Sequence, residues 1–264
     1  MNLDGKRVLI TGATGGLGQA IARALTDRGA SVVLTGRRTD VLEPLAAELG
    51  GVAIASDLAD PASVDSLLEQ AGDIDVLVAN AALPGSGPVL EYTVDEIDRA
   101  LNVNLRAPIL LARALGPRLL ERGAGHLVFV SSLSGKAASP GAGIYCATKF
   151  GMRGFALGLR EDLIGTGVGV SLVYPGFIRG AGMFADSGAK PPPGMGTGRP
   201  EQVGGGVVKA IERDKVEVVV APLQLRAISH FALAAPSISV RAQSGSAGQK
   251  AAKAVADGHP ADKR

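Results

Sequence analysis

A doubly wound α/β fold, one parallel sheet with helices on both faces, is the class this sequence predicts, and three observations predict it. Short β-branched apolar runs recur along the 264 residues, segments with helical spacing lie between them, and a glycine-rich turn joins the first run to the first helical segment. Strands covered on both faces need near-continuous apolar runs rather than in–out alternation. Strand–helix alternation then implies right-handed crossovers and a parallel sheet.

The candidate strands are, in order, Arg7–Thr11, Ser31–Thr35, Val52–Ser56, Ile74–Ala79, His126–Ser131, Val168–Tyr174 and Val216–Val220. Leu17, Ile21 and Leu25, and later Val64, Leu67 and Leu68, repeat at helical intervals between them. Arg179–Pro200 carries six glycines and four prolines and reads as a long loop, the kind that forms lids over binding sites. Gly204, Gly205 and Gly206 interrupt an otherwise helical stretch, at a cost of about 1 kcal/mol each relative to Ala. Leu223–Val240 is apolar, broken by Arg226, His230 and Pro236, and reads as a surface helix. Beyond Gln243, Gly, Ala, Lys and Asp dominate, which cannot bury much. The resulting division is a catalytic domain over 1–222 that includes a substrate lid at 179–200, an apolar helical extension over 223–242, and a flexible tail over 243–264.

Bulk properties exclude several classes. A net charge of +2 and 3% aromatics argue against a nucleic-acid partner. Cys146 is the lone cysteine, so no intrachain disulfide and no thiolate cluster forms. His126, His230 and His259 lack metal-ligand spacing, and no metal is expected. No apolar stretch reaches the roughly 18 residues of a membrane span, and MNLDGKRVLITG runs directly into the first strand. A cytoplasmic protein is expected, with peripheral membrane contact left open for the 223–242 segment.

Thr11-Gly12-Ala13-Thr14-Gly15-Gly16-Leu17-Gly18 follows the first strand and opens the first helix. There glycines serve a tight turn, close backbone approach to a pyrophosphate and close helix packing, while the helix N-terminus offers free N–H groups to the anion. This is the Rossmann arrangement. The second strand ends Thr35-Gly36-Arg37-Arg38, with no carboxylate to bind a ribose 2′-hydroxyl. A guanidinium fork matches a 2′-phosphate, so NADP(H) is expected over NAD(H).

Tyr145 and Lys149 stand four residues apart in a helical context, on one face. Ser132 lies at the end of the strand His126–Ser131, where ligands bind in such sheets. A phenol that titrates near 10 needs a shift of about 3 units, about 4 kcal/mol, to exchange protons at neutrality. One ammonium at about 4 Å, at an effective dielectric near 20, supplies about that much.

With these features in hand, the chain resembles the tyrosine-dependent, roughly 250-residue branch of the short-chain dehydrogenase/reductase family, from residue 5 to about 222. The matching features are Thr11-Gly12 with Gly16 and Gly18, Asp57-Leu58, Asn80-Ala81-Ala82, Asn104, Ser132, Tyr145, Lys149 and Pro175-Gly176. The resemblance implies an oxidoreductase moving a hydride between NADP(H) and an alcohol or ketone. In it Tyr145 is the general acid or base, and Lys149 lowers its pKa and binds the nicotinamide ribose. Ser132 stabilises the substrate oxygen, and Asn104 relays protons through water, with Asn102 the chemical competitor. It also implies cofactor contacts from Gly12, Thr14, Gly15, Gly16, Leu17 and Gly18, from Asp57 and Leu58 around the adenine, from Asn80, Ala81, Pro175 and Gly176, and from Tyr145 and Lys149 themselves.

Two departures stand out: Ala82 where the family has Gly, and Gly180 where it often has Thr. The carboxamide contact therefore falls to backbone near Ile178. Met183, Phe184 and Met195 in the lid suggest a hydrophobic carbonyl substrate, 3-oxoacyl compounds among them, although Leu83-Pro84-Gly85 lacks a basic residue for docking an acyl carrier protein. By analogy a homodimer or homotetramer is expected. The rival readings are a sugar-nucleotide epimerase or dehydratase, which shares the tyrosine pair, and a dinucleotide-binding regulatory module without turnover.

Overall fold

The computed structural model describes residues 1–191 and 194–243, together with 254, 255 and 257–259. Seven parallel strands form one sheet in the order β3-β2-β1-β4-β5-β6-β7. They are β1 Arg7–Thr11, β2 Ser31–Gly36, β3 Val52–Ala55, β4 Val76–Ala79, β5 Gly125–Val130, β6 Val168–Pro175 and β7 Glu217–Val220. Every candidate strand is present, with ends displaced by two residues at most.

The register explains the composition. Val8 and Ile10 of β1 face one layer and Leu9 the other, and all three are fully buried. One layer holds α1 (Gly16–Thr26), α2 (Thr39–Leu49) and α8 (Pro200–Glu212), through Ile21, Leu25, Leu42 and Val207. The other holds α3 (Pro61–Ala71), α5 (Ala107–Arg122) and α6 (Gly143–Asp162), through Leu67, Leu111, Leu115 and Met152. Each such side chain contributes about 1.5–3 kcal/mol on leaving water.

Chain order reverses between β1 and β4, so a crevice opens beyond their carboxyl ends. α4 (Val94–Leu101) leads into α5 through a π-helical turn, Asn102–Arg106, and π-turns of this kind rotate the residues after them out of α-register.

The glycine run in α8 has a packing reason. A Cβ on Gly204 would approach the Ala20 carbonyl oxygen of α1 to 2.7 Å, and one on Gly206 would reach Val220 of β7 at 2.6 Å. Two glycines thus let α8 lie close to both α1 and the sheet, whereas Gly205 faces open space.

The described residues of the 179–199 stretch form a loop interrupted by one helical turn, α7 (Met183–Asp186). Leu223–Val240 is not one helix. Pro236 disfavours helical geometry at Ala235, which sits at φ −135° and ψ 65°, and divides it into α9 (Leu223–Ala234) and α10 (Pro236–Gln243). Leu223, Phe231, Ile238 and Val240 of these helices are exposed. Among the described residues no helix is long and apolar enough to cross a membrane. Most of the stretch read as a flexible tail lies outside the described residues. Within it His259 is buried.

Candidate active site

The glycine loop is shaped by close approaches. Gly12 has φ 65°, and a Cβ there would lie 2.7 Å from the Ala81 Cα, so a side chain is refused on both counts. A Cβ on Gly18 would run into the Gly12 carbonyl. No side chain caps α1, whose N-cap is Gly15, and its first turn has no acidic residue. Its first N–H groups are therefore left without a side-chain acceptor, the condition under which a helix N-terminus takes an anion.

Asn80 and Ala81 hold this loop from beneath. The Thr11 hydroxyl accepts both of their backbone N–H groups at 3.0 Å, and the Asn80 amide donates to the carbonyls of Thr11 and Gly12 at 3.0 and 3.2 Å. Their role is to buttress the loop, a detail that motif spacing does not carry.

β2 ends at Gly36 with Arg37 exposed, while Arg38 donates to the Thr14 carbonyl at 2.6 Å and lies across the loop. After β3, Asp57 accepts the Ala59 N–H at 3.0 Å and Leu58 is buried. An uncapped helix end, glycine walls and the exposed Arg37 at the β2 end fit a nicotinamide dinucleotide.

The acid–base groups gather two strands from β1, at the end of β5. β5 ends at Val130, and Ser132, in extended conformation, accepts the Ser134 N–H at 3.1 Å. That bond uses a lone pair and leaves the hydroxyl proton free to donate. Tyr145 and Lys149 occupy the first two turns of α6. Lys149 is 2% exposed, its Nζ donates to the Val130 carbonyl at 3.1 Å, and it lies 5.6 Å from the centre of the Tyr145 ring.

In this arrangement burial dominates the titration of both groups. Burial pushes Tyr145 up to about 12, with Ser132 acting in the opposite sense, and burial pushes Lys149 down to about 8. Desolvation disfavours both charged forms, and the ammonium is turned to a carbonyl instead of the phenol oxygen.

Asn104, not Asn102, is the inward asparagine. It is fully buried, its Oδ1 accepts the Leu83 N–H at 2.6 Å, and its Nδ2 donates to the Leu83 carbonyl at 2.9 Å. This clamp fixes the loop after β4, which continues to Gly85, where a Cβ would come within 2.9 Å of the Tyr145 backbone nitrogen. Each side-chain group makes one bond to Leu83 and keeps a further lone pair or hydrogen.

β6 delivers Pro175 and Gly176, and the Gly176 N–H bonds the Val220 carbonyl at 3.0 Å. Ile178 bridges to Gly198, but the bonds run through Phe177 and Arg179, so the bridge leaves both polar groups of Ile178 unused. Ala181 then packs against Gly16, and Gly182 against Leu17. The loop after β6 thus rests on the glycine loop, its Phe184 ring 4.6 Å from Phe177.

Cys146 is buried beside the pair, and burial raises its thiol pKa. His126 is buried on β5, bonded to the Ser171 hydroxyl at 2.8 Å and pushed down to about 4 by burial. Sequence reasoning missed Leu83, Gly85 and Ala181 as shapers of the cleft, because their work is done by backbone, and it missed His259.

A parallel sheet with a glycine-walled cradle at its switch point, beside a buried tyrosine–lysine pair, defines a dinucleotide-binding oxidoreductase. The chain belongs to the short-chain dehydrogenase/reductase family: the short chain dehydrogenase profile matches residues 6–191. It is 38% identical over 227 residues to the ketoacyl reductase HetN of Nostoc sp., covering 83% of this chain and 79% of that protein. It is 38% identical over 180 residues to the NADP-dependent 3-hydroxy acid dehydrogenase YdfG of Salmonella typhi, covering 66% and 73%. The structure of a short-chain dehydrogenase from Sphingobium yanoikuyae in complex with NADPH superposes with a TM-score of 0.76 at 28% identity, covering 90% and 95%.

Proposed function

We propose that the protein is an NADP(H)-dependent ketoreductase acting on a hydrophobic carbonyl compound of the 3-oxoacyl type. The observation that carries the reading is the convergence of Ser132, Tyr145 and Lys149 at the β5 end, two strands from the glycine cradle at β1.

The N–H groups around Gly12, Thr14, Gly15, Gly16, Leu17 and Gly18 would hold the pyrophosphate. Arg37 and Arg38 would meet the 2′-phosphate, and Asp57 and Leu58 the adenine. Asn80, Ala81, Pro175 and Gly176 would shape the floor beneath the cofactor, and the Ile178 backbone would take the carboxamide. Bound there, the nicotinamide supplies the hydride to the carbonyl carbon. The Tyr145 phenol, protonated at neutral pH, donates its proton to the carbonyl oxygen, and the Ser132 hydroxyl stabilises the charge on that oxygen. Lys149 binds the ribose and returns a proton toward Tyr145, with Asn104 holding the neighbouring loop in register.

Two findings about relatives support the finer points. One is named a ketoacyl reductase and another an NADP-dependent 3-hydroxy acid dehydrogenase. Phe184 and Met183 in the lid supply the apolar wall. A dimer or tetramer through the outer faces of α5 and α6 is part of the proposal, and Leu120 and Phe150 are exposed there.

The test is NADPH oxidation across carbonyl classes, repeated with NADH. Lipophilic 3-oxoacyl thioesters and ketones turned over with NADPH are expected. Preference for small charged ketones, or for NADH, overturns the assignment.

A further inference from the structure

His259 sits far from the site in sequence and at its mouth in space. It is 3% exposed, its Nδ1 lies 3.0 Å from the Ser86 hydroxyl, and its Nε2 lies 2.8 Å from the Met183 carbonyl. A carbonyl only accepts, so Nε2 carries the proton and donates to it. In the neutral ring Nδ1 then accepts from Ser86.

The two partners belong to opposite walls. Ser86 follows Gly85, whose Cα lies against the Tyr145 backbone, and Met183 follows Gly182, which rests on Leu17 of the glycine loop. One imidazole therefore ties the tyrosine wall to the lid that lies on the cofactor cradle. Beside it, Gly258 packs so closely on the Ser187 backbone at the end of α7 that any Cβ would collide with it.

From this juxtaposition we infer that His259 is a positioning residue of the active site, a latch carried by the C-terminal segment that holds the lid over bound nicotinamide cofactor. It rests on the dehydrogenase reading for the identity of what is held. The latch touches no reacting atom. It acts by keeping Ala181 and Gly182 against Gly16 and Leu17, so that cofactor leaves only when the lid lifts. Both bonds must break for that to happen, and they break together because they share one ring.

The experiment is stopped-flow release of NADPH from the full-length protein, chased with excess non-fluorescent NADP+ and followed by the loss of bound-NADPH fluorescence, with hydrogen exchange of residues 182–188 measured alongside. His259→Ala is expected to release NADPH about tenfold faster and to raise exchange in 182–188. His259→Gln, whose amide offers one acceptor beside one donor, recovers part of both effects. Ser86→Ala shifts both in the same direction, and adds little in combination with His259→Ala. Wild type that binds NADPH, with His259→Ala releasing it at the same rate, overturns the latch and leaves the dehydrogenase reading intact. Wild type that binds neither NADPH nor NADH removes the dehydrogenase reading, and the latch as a hold on cofactor falls with it.

Discussion

Lys149 Nζ donates to the Val130 carbonyl at 3.1 Å, tying the base of α6 to the end of β5. The ammonium is held by a strand end and has no carboxylate partner among the described residues, so burial sets its titration, near 8.

The first prediction concerns pH. Below about 8 Lys149 is a cation, and above it the charge is lost, while the Tyr145 phenol at about 12 stays protonated throughout. Carbonyl reduction is expected to be level up to about pH 8 and to fall beyond it. The stability linkage has the opposite sense. Between about 8 and the ordinary 10.5 the unfolded chain holds a proton that the folded chain has released, so this group's contribution rises with pH there. A pH–rate profile of kcat/KM checks the first point, and Lys149→Arg should move the falling limb to higher pH.

Removing the proton donor is the second. Tyr145→Phe keeps the ring and loses the hydroxyl. Reduction is expected to drop about 10²–10⁴-fold, the range for a positioned general acid. The NADPH dissociation constant should change little, which fluorescence titration would show. Retained turnover would assign the proton to another group.

Cofactor choice gives the third. A charge-assisted hydrogen bond is worth about 1.5–3 kcal/mol, about 10–100-fold in affinity. Arg37→Ala is expected to weaken NADPH by that factor and to leave NADH nearly unchanged. Arg38→Ala should affect both cofactors, because Arg38 also braces the Thr14 carbonyl. Equal losses for the two cofactors in Arg37→Ala would remove the phosphate from its contacts.

Strands and cradle were legible in the sequence because their causes are local. An apolar run covered on both faces looks the same wherever it pairs, and a glycine turn between a strand and a helix carries its own geometry. The electrostatics of Tyr145 and Lys149 were not legible, since burial on the folded chain decides them. Nor was the Asn104 clamp on Leu83, which depends on two backbone groups 21 residues away. Lys136 is another such case. It is 1% exposed and pairs at 2.6 Å with Glu217 of β7, which Arg153 and Tyr174 also bond, a meeting of four distant segments. The same holds for His259, whose partners are 173 and 76 residues away.

Acid stability is the fourth prediction. His126 titrates normally at 6.5 when unfolded and near 4 when folded. As pH falls below 6.5 the unfolded chain takes up a proton that the folded chain refuses, so stability is lost between 6.5 and 4, by up to about 3 kcal/mol. His126→Gln should flatten the dependence of Tm on pH in that window. An unchanged slope would assign acid lability to the carboxylates instead.

The glycines of α8 give the last prediction, and the three positions should separate. In a helix interior Gly→Ala stabilises by about 0.5–1 kcal/mol when nothing opposes the new methyl. Gly205 faces open space, so Gly205→Ala should raise stability by that amount. At Gly204 the methyl meets the Ala20 carbonyl at 2.7 Å, and backbone of a packed helix cannot turn aside as a side chain can. Gly204→Ala must push α8 off α1 and should cost about 1–3 kcal/mol. Gly206→Ala falls between, because its obstacle is the Val220 methyl at 2.6 Å, which can rotate at the price of an unfavourable rotamer. Urea denaturation of the three variants ranks them, and a stabilising Gly204→Ala would mean that α1 and α8 are held apart in solution.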